Sequence, residues 1–168
     1  MPRTKAFTLV EILIVVVLLA LLAVIAVAAV EKTTTAAKES ALAHDLQMLR
    51  RYILVYESQH LEVAPGYPNG QTDQQPAEQA FVDQITTASD KRGQTAPRGT
   101  PGFNLGPYLQ RMPENPFNNK STVQMLADGD QFPADADNTH AWIYKAAASE
   151  IRADTTGADE SGKRYYDY

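Results

Sequence analysis

Residues 5–30 read KAFTLVEILIVVVLLALLAVIAVAAV, and this stretch decides how the rest of the chain is organised. Every residue from Ile12 to Val30 is apolar, while Glu11 stands just before that run, with FTLV on its other side. A charged carboxylate at the centre of a bilayer costs roughly 2.5–3.5 kcal/mol on insertion scales. The position of Glu11 therefore needs a functional explanation.

The apolar run is long enough to cross a membrane as a helix. A helix over Phe7–Val30 would be about 36 Å long, against a hydrocarbon core of about 30 Å. Secretory signal peptides have a shorter apolar region that ends at a small-residue cleavage site. Arg3 and Lys5 precede the run, and this positive charge predicts a cytoplasmic N-terminus. We predict a membrane-anchoring helix over residues 7–30.

The remainder of the 168-residue chain is polar and acidic. The formal net charge is −5, and no run rich in Lys and Arg occurs. Binding to nucleic acid needs clustered positive charge to release phosphate counterions, so the composition argues against a broad nucleic-acid partner. The chain has no cysteine, so its stability must come from core packing, from assembly with other copies or from a metal ion.

The apolar run leads into an amphipathic helix. Apolar residues recur there at spacings of four, three, four and three, which places them on one helical face. They are Leu42, Leu46, Leu49, Ile53 and Tyr56. Neither Pro nor Gly interrupts residues 7–60, so we predict one long helix that ends before Pro65 and Gly66.

A shorter helix and a small sheet are predicted after the long helix. The helix covers residues 76–89, and residues 122–126, 141–144 and 150–153 are the candidate strands. The predicted fold class is α+β: a long N-terminal α-helix packed by its C-terminal half against a small antiparallel β-sheet. Trp142, Tyr144 and Ile151 are expected to face the helix. The tail 154–168 fits either an ordered cap or a mobile terminus.

The N-terminal residues resemble the class III signal of type IV pilins and type II secretion pseudopilins. The shared features are a short basic leader, the sequence FTLVE at 7–11 and the long apolar stretch after it. In that family a prepilin peptidase removes the leader and methylates the new N-terminal amine. The resemblance implies a leader over residues 1–6, cleavage between Ala6 and Phe7, and N-methylation of Phe7. Ala6 replaces the glycine that usually precedes the cut.

The same resemblance implies a role for Glu11. In a filament of staggered helices, its carboxylate can pair with the free amine of the adjoining subunit, which offsets the cost of burying both charges. The alternative is a simple anchor in which Glu11 reaches the lipid headgroups. The implied partners are further copies of the chain, minor pseudopilins, the prepilin peptidase and an inner-membrane assembly platform. The implied location is the bacterial inner membrane, with residues 31–168 as a periplasmic pilin-like domain, followed by assembly into a periplasmic pseudopilus.

Two stretches of the domain are similar to the major, G-type pseudopilins. PYLQRMPENPFNNKS at 107–121 resembles their YL…P.NPF stretch, and HAWIYKAAASEIRAD at 140–154 resembles their W.Y…GEIRA hairpin, with Ser149 in place of a glycine. The implied function is that of a structural subunit of a type II secretion pseudopilus, which drives protein export across the outer membrane. The alternatives are a type IV pilin for adhesion, motility or DNA uptake, and an anchored binding domain that does not polymerise.

An acidic loop is the candidate metal site. ADGDQFPADADN at 127–138 contains Asp128, Asp130, Asp135 and Asp137. Calcium takes six to eight oxygen ligands, and the G-type pseudopilins carry a calcium site in a C-terminal loop. The spacing does not match an EF-hand, and solvated turn residues are the favoured interpretation. A second and weaker candidate consists of Asp154, Asp159 and Glu160.

Motifs for catalysis are absent from the sequence. It has no phosphate-binding loop, no G-x-G-x-x-G and no nucleophile elbow. His44, His60 and His140 are scattered and lack the spacing of a zinc site, so surface or capping roles are expected. We therefore predict that the protein is not an enzyme.

Overall fold

The computed structural model describes the backbone of residues 9–168 and the side chains of all of these residues except 24–32. The chain divides into two compact units after Lys38. Helix α1, Leu9–Gln59, crosses that division, and all later elements lie in the second unit, Glu39–Tyr168. These elements are helix α2 (Glu78–Thr86) and strands β1 (Ala88–Ser89), β2 (Thr95–Ala96), β3 (Val123–Leu126), β4 (Trp142–Lys145) and β5 (Glu150–Ala153).

The predicted long helix is confirmed over the described residues. Helix α1 contains neither Pro nor Gly, and the part that belongs to the second unit presents its apolar face to the core. The helix ends when Leu61 and Glu62 adopt left-handed backbone angles, with φ of 59° and 63°. The amide of Glu62 then donates to the carbonyl of Glu57, which satisfies a carbonyl that the helix leaves unpaired.

The predicted core residues are buried. All five residues of the α1 face, from Leu42 to Tyr56, are at most 1% exposed. They pack with Phe81 and Ile85 of α2 and with the predicted inward residues of the sheet, Trp142, Tyr144 and Ile151. Burying one such side chain stabilises the fold by about 1.5–3 kcal/mol. The 3.6-residue periodicity of the sequence therefore identified the contact between helix and sheet correctly.

Helix α2 is shorter than the predicted range 76–89. It ends at Thr86, because Thr87 leaves the helix and its hydroxyl donates to the carbonyl of Asp83. Ala88 and Ser89 are extended instead and pair with β2. Ser89 also exchanges two backbone hydrogen bonds with Leu105. Tertiary pairing therefore overrides the apolar spacing that favoured a longer helix.

The main sheet has the strand order β3-β4-β5 and is mixed. Strands β4 and β5 are antiparallel, as expected for a hairpin, whereas β3 is parallel to β4. A parallel pair requires a crossover connection of a dozen or more residues, and the segment 127–141 provides it. The α+β class is confirmed, and the expectation of a wholly antiparallel sheet is corrected for β3.

Candidate functional site

The first part of α1 presents an apolar surface to its surroundings. Each large apolar side chain from Leu9 to Leu22 is at least 50% exposed in the single chain. Glu11 lies in the first turn of the helix, where a carboxylate interacts favourably with the helix dipole. Ala6 and Phe7, the predicted cleavage and methylation residues, lie outside the described residues. Within residues 9–168, no helix combines the length and the apolar character that a membrane crossing requires.

The acidic loop does not gather its carboxylates at one point. Asp128 accepts a hydrogen bond from the Tyr67 hydroxyl at 2.8 Å, and an oxygen of Asp130 lies 3.3 Å from the amide of Ala127. Asp135 forms a 2.8 Å ion pair with Arg164. In the part of the chain with described side chains, no group of three or more acidic or histidine residues is arranged to hold a metal ion.

Asp137 also has partners within the protein. Its Oδ1 accepts hydrogen bonds from the amide and the hydroxyl of Thr139, at 2.9 and 2.6 Å. These bonds from Thr139 lower the pKa of Asp137. As they are placed, the four candidate carboxylates do not fit the six to eight oxygen ligands of calcium. Binding of calcium by these four residues would require the loop to rearrange. Calcium binding therefore stays a prediction.

A buried carboxylate, Asp154, organises the segment that leads into β4. Asp154 is 0% exposed. Its Oδ1 accepts from the amides of Asp137 and Asn138 at 2.8 and 3.1 Å, and its Oδ2 accepts from the amide of His140 at 2.8 Å. The sequence marked Asp154 only as part of a weak metal site. The structure places it as the acceptor that shapes the loop.

The NPF stretch ties this loop to the sheet. The side chain of Asn115 is buried, and its amide donates to the carbonyl of Ala141 at 3.0 Å and to the hydroxyl of Thr155 at 2.6 Å. The indole of Trp142 donates to the carbonyl of Pro113 at 3.1 Å. Residues that resembled pseudopilins in the sequence therefore hold the start of β4 and the end of β5 together.

His60 forms a buried pair with Ser89. Its Nδ1 lies 2.7 Å from the carbonyl oxygen of Tyr56, so this nitrogen carries the proton and donates. The Nε2 atom then accepts from the Ser89 hydroxyl at 2.9 Å. Burial lowers the pKa of His60, while its hydrogen bond to Tyr56 and the charge of Asp90 act in the opposite direction.

The Ser89–His60 pair has the polar contact of a nucleophile and a base, but both residues are at most 1% exposed. The imidazole also stacks on the Tyr56 ring at 3.6 Å between centroids. A substrate has no access to a serine buried in this way, so the arrangement serves to join α1 to β1. The expected surface position of His60 is wrong, because the ring is 1% exposed, whereas its bond to the Tyr56 carbonyl in the last turn of α1 fits the expected capping role.

The C-terminal tail is an ordered cap, which resolves the alternative that the sequence left open. Tyr165 and Tyr166 are buried, and the Tyr165 hydroxyl donates to Glu39 at 2.8 Å. The Tyr168 hydroxyl donates to Asp159 at 2.8 Å. Hydrogen bonds from the Ser161 hydroxyl and then from Tyr168 lower the pKa of Asp159 to about 2. Asp159, one of the three residues of the weaker metal candidate, is thus engaged in holding the tail.

Comparison with known protein families gives a match at the N-terminus. Residues 1–27 match the family model of the prokaryotic N-terminal methylation motif. No curated protein and no solved structure matches the chain. The motif implies a membrane-anchored precursor, processing by a prepilin peptidase and polymerisation, and it indicates a structural subunit rather than an enzyme. The chain carries a type IV pilin-like N-terminal signal, and this signal supports its placement with the pilins and pseudopilins.

Proposed function

We propose that this protein is a structural subunit of a type II secretion pseudopilus, most similar to the major, G-type pseudopilins. The precursor is inserted in the bacterial inner membrane with its N-terminus in the cytoplasm and its domain in the periplasm. Prepilin peptidase cuts between Ala6 and Phe7 and methylates Phe7. The mature chain then polymerises through its N-terminal helix, on an inner-membrane assembly platform and together with minor pseudopilins.

One observation carries this proposal. The methylation motif over residues 1–27 includes the start of α1, and the large apolar side chains of that helix are at least half exposed from Leu9 to Leu22. An exposed apolar surface of this size marks a site of interaction with protein or lipid. Once the chain has left the membrane, packing against the same helix of other copies keeps that surface away from water and so stabilises the assembled filament.

Glu11 supplies the register of the assembly. A carboxylate transferred alone into an apolar filament core is unfavourable, but a positively charged amine from the adjoining copy provides a partner. In the mature chain Phe7 carries that amine, and Glu11 is the fifth residue. Only one axial offset between neighbouring helices brings these two groups together. The pair therefore specifies a single stagger among many that apolar packing alone would allow.

The domain favours a pseudopilus over a surface pilus. The NPF stretch and the β4–β5 hairpin resemble those of the G-type pseudopilins. Ser149, at the position of the family's glycine, has a left-handed backbone with φ of 51°, a conformation that glycine adopts without strain. This agreement supports the alignment of the hairpin. A type IV pilin for adhesion, motility or DNA uptake is the second candidate, and the shared methylation motif favours it equally.

Substitution of Glu11 tests polymerisation against a simple membrane anchor. Glu11→Ala and Glu11→Gln should insert normally and lose sheared filaments, because neither side chain carries the charge that pairs with the amine. Asp73→Ala, which removes an exposed acid of a loop in the domain, is the control and should assemble normally. Filaments of both Glu11 variants at the wild-type yield would contradict the proposal.

Mass spectrometry of the mature chain tests the processing. We expect an N-terminus at methylated Phe7. An intact Met1, or a cut after the apolar run, would contradict the assignment of a prepilin signal. Deletion of the gene separates the two filament classes: loss of protein secretion indicates a pseudopilus, whereas loss of motility, adhesion or DNA uptake with normal secretion indicates a type IV pilus.

A further inference from the structure

The turn between β1 and β2, residues 90–94, presents two exposed cations. Lys91 and Arg92 are exposed, and neither side chain forms a hydrogen bond or ion pair among the described residues. The neighbouring acid, Asp90, is occupied by the backbone of the turn. Its Oδ1 accepts from the amides of Arg92 and Gln94, both at 2.9 Å. We call residues 90–94 the cationic turn.

The cationic turn is held firmly against the rest of the unit. A Cβ atom at Gly70 would overlap the carbonyl oxygen of Arg92, and one at Gly93 would lie 2.8 Å from the Tyr56 hydroxyl. The side-chain amide of Gln84 also donates to the carbonyl of Gly93 at 3.0 Å. These close backbone contacts fix the turn before any partner binds, which lowers the entropic cost of binding.

The charge of this region is opposite to that of its surroundings. The second unit contains 11 Lys and Arg residues and 18 Asp and Glu residues. Four of those cations lie in the segment 91–111, which contains none of the acids. Copies of such an acidic unit repel one another unless local contacts oppose the repulsion. The cationic turn provides the positive half of such a contact.

The negative half of the contact lies at the other end of the same unit. Contacts of Gly93 and of the adjacent Ser89 place the cationic turn beside Tyr56 of α1 and beside His60, which follows that helix. The opposite end of the unit lies beside Glu39, whose carboxylate accepts a hydrogen bond from the Tyr165 hydroxyl.

The acidic loop reaches that opposite end. Asp135 is bonded to Arg164, the residue before Tyr165, and Asp137 is bonded to Asp154, which follows β5. Both acids are exposed. From Glu39 to Tyr56 the helix rises about 25 Å, so the two charged regions of one copy are far apart.

We propose that the cationic turn of one copy docks on the acidic residues Asp135 and Asp137 of the next copy. Such a contact joins two different surfaces, so it repeats along an open polymer instead of closing into a dimer. The ion pair of Asp135 with Arg164 is exposed, with side chains 80% and 49% accessible, and exposed pairs exchange partners at little cost. The inference rests on the proposed function, because it requires copies stacked along a filament.

Disulfide crosslinking tests this contact directly, because the chain has no cysteine of its own. The full chain, produced with its assembly system, carries Gln94→Cys and Ala134→Cys together, two exposed uncharged positions beside the contact, so that the charges of Lys91, Arg92, Asp135 and Asp137 all remain. Mild oxidation should give a ladder of dimers, trimers and longer products, because each copy links to the next. The two sites within one copy are too far apart for a disulfide, whose Cα atoms lie about 4.4–6.8 Å apart. Each single-cysteine variant should give no ladder.

A matched pair of charge variants provides the second test. Lys91→Gln with Arg92→Gln removes two positive charges, and we expect the yield of sheared filaments to fall about tenfold. Gln47→Glu with Gln110→Glu changes the net charge by the same amount at two exposed positions elsewhere. We expect this control to change the yield of sheared filaments by less than about twofold. Equal membrane levels of all variants establish that folding is intact.

Absence of the ladder, or a normal filament yield for the Lys91 and Arg92 variant, overturns this inference. In either case loss of filaments with Glu11→Ala leaves the proposed function standing. If Glu11→Ala assembles like the wild type, the proposed function itself fails.

Discussion

Replacement of Asp154 tests whether one buried carboxylate shapes the loop that enters β4. In Asp154→Ala, the amides of Asp137, Asn138 and His140 lose their acceptor. Each buried donor left unpaired costs about 1–3 kcal/mol. Because residues 137–140 are exposed or half-buried, water replaces part of the loss, and we expect a decrease of about 3–5 kcal/mol in the free energy of unfolding.

Asp154→Asn distinguishes the roles of the two carboxylate oxygens, because it keeps one oxygen and replaces the other by an NH₂ group. The remaining oxygen can still accept from the amides of Asp137 and Asn138, whereas the new NH₂ group faces the amide of His140. We therefore expect a loss of about 2 kcal/mol, which is clearly smaller than for alanine.

The assay is urea unfolding of the full chain in detergent, followed by tryptophan fluorescence. Trp142 is the only tryptophan, is 0% exposed and begins the strand next to the loop. Asp130→Asn, at an exposed carboxylate, is the control and should change the stability by less than about 0.5 kcal/mol. Equal losses for the Asn and Ala variants, or no loss for either, would refute the reasoning.

Three further predictions concern the hairpin, the buried histidine and the metal. Ser149→Gly and Ser149→Ala both lose the 3.0 Å hydrogen bond to Glu57, but only the glycine variant removes the strain of a left-handed residue, so in urea unfolding it should be more stable than the alanine variant by about 1–2 kcal/mol. Because burial lowers the pKa of His60 below 6.5, the unfolded chain binds more protons near pH 6, so stability should rise from about pH 5 to pH 7. His60→Gln should flatten that rise in urea midpoints measured across the range, and an unchanged slope would contradict the prediction. Since the carboxylates of the loop 128–137 have separate partners, about 1 mM calcium should shift the Tm by less than about 1 °C. A larger rise that Asp137→Asn abolishes would instead establish the calcium site.

Local periodicity was enough to predict the elements that form the core. The spacing from Leu42 to Tyr56 reflects one helical face, and Trp142, Tyr144 and Ile151 are buried against it as predicted. Ile143 is also buried, with Leu126 and Tyr166, so burial along β4 does not alternate. The segment 141–153 was predicted almost to the residue.

Features that depend on distant residues were not predictable in the same way. The parallel direction of β3 depends on how the segment 127–141 crosses back, and no spacing within TVQML encodes that direction. The burial of His60 depends on Ser89, and the shape of the loop before β4 depends on Asp154. Each of these arrangements joins residues separated by more than a dozen positions, where a single sequence carries no periodic signal.

Each outer strand of the main sheet has a backbone group that is bonded to a side chain. On one side, the amide of Val123 in β3 donates to the carboxylate of Glu78 at 2.7 Å, and on the other, the carbonyl of Ile151 in β5 accepts from Arg50 at 3.2 Å. Subunits that gather at high density would otherwise risk joining strand to strand, the route that leads to amyloid. These bonds disfavour pairing of strands between subunits, so at high density the proposed polymerisation through the N-terminal helix competes less with irreversible aggregation.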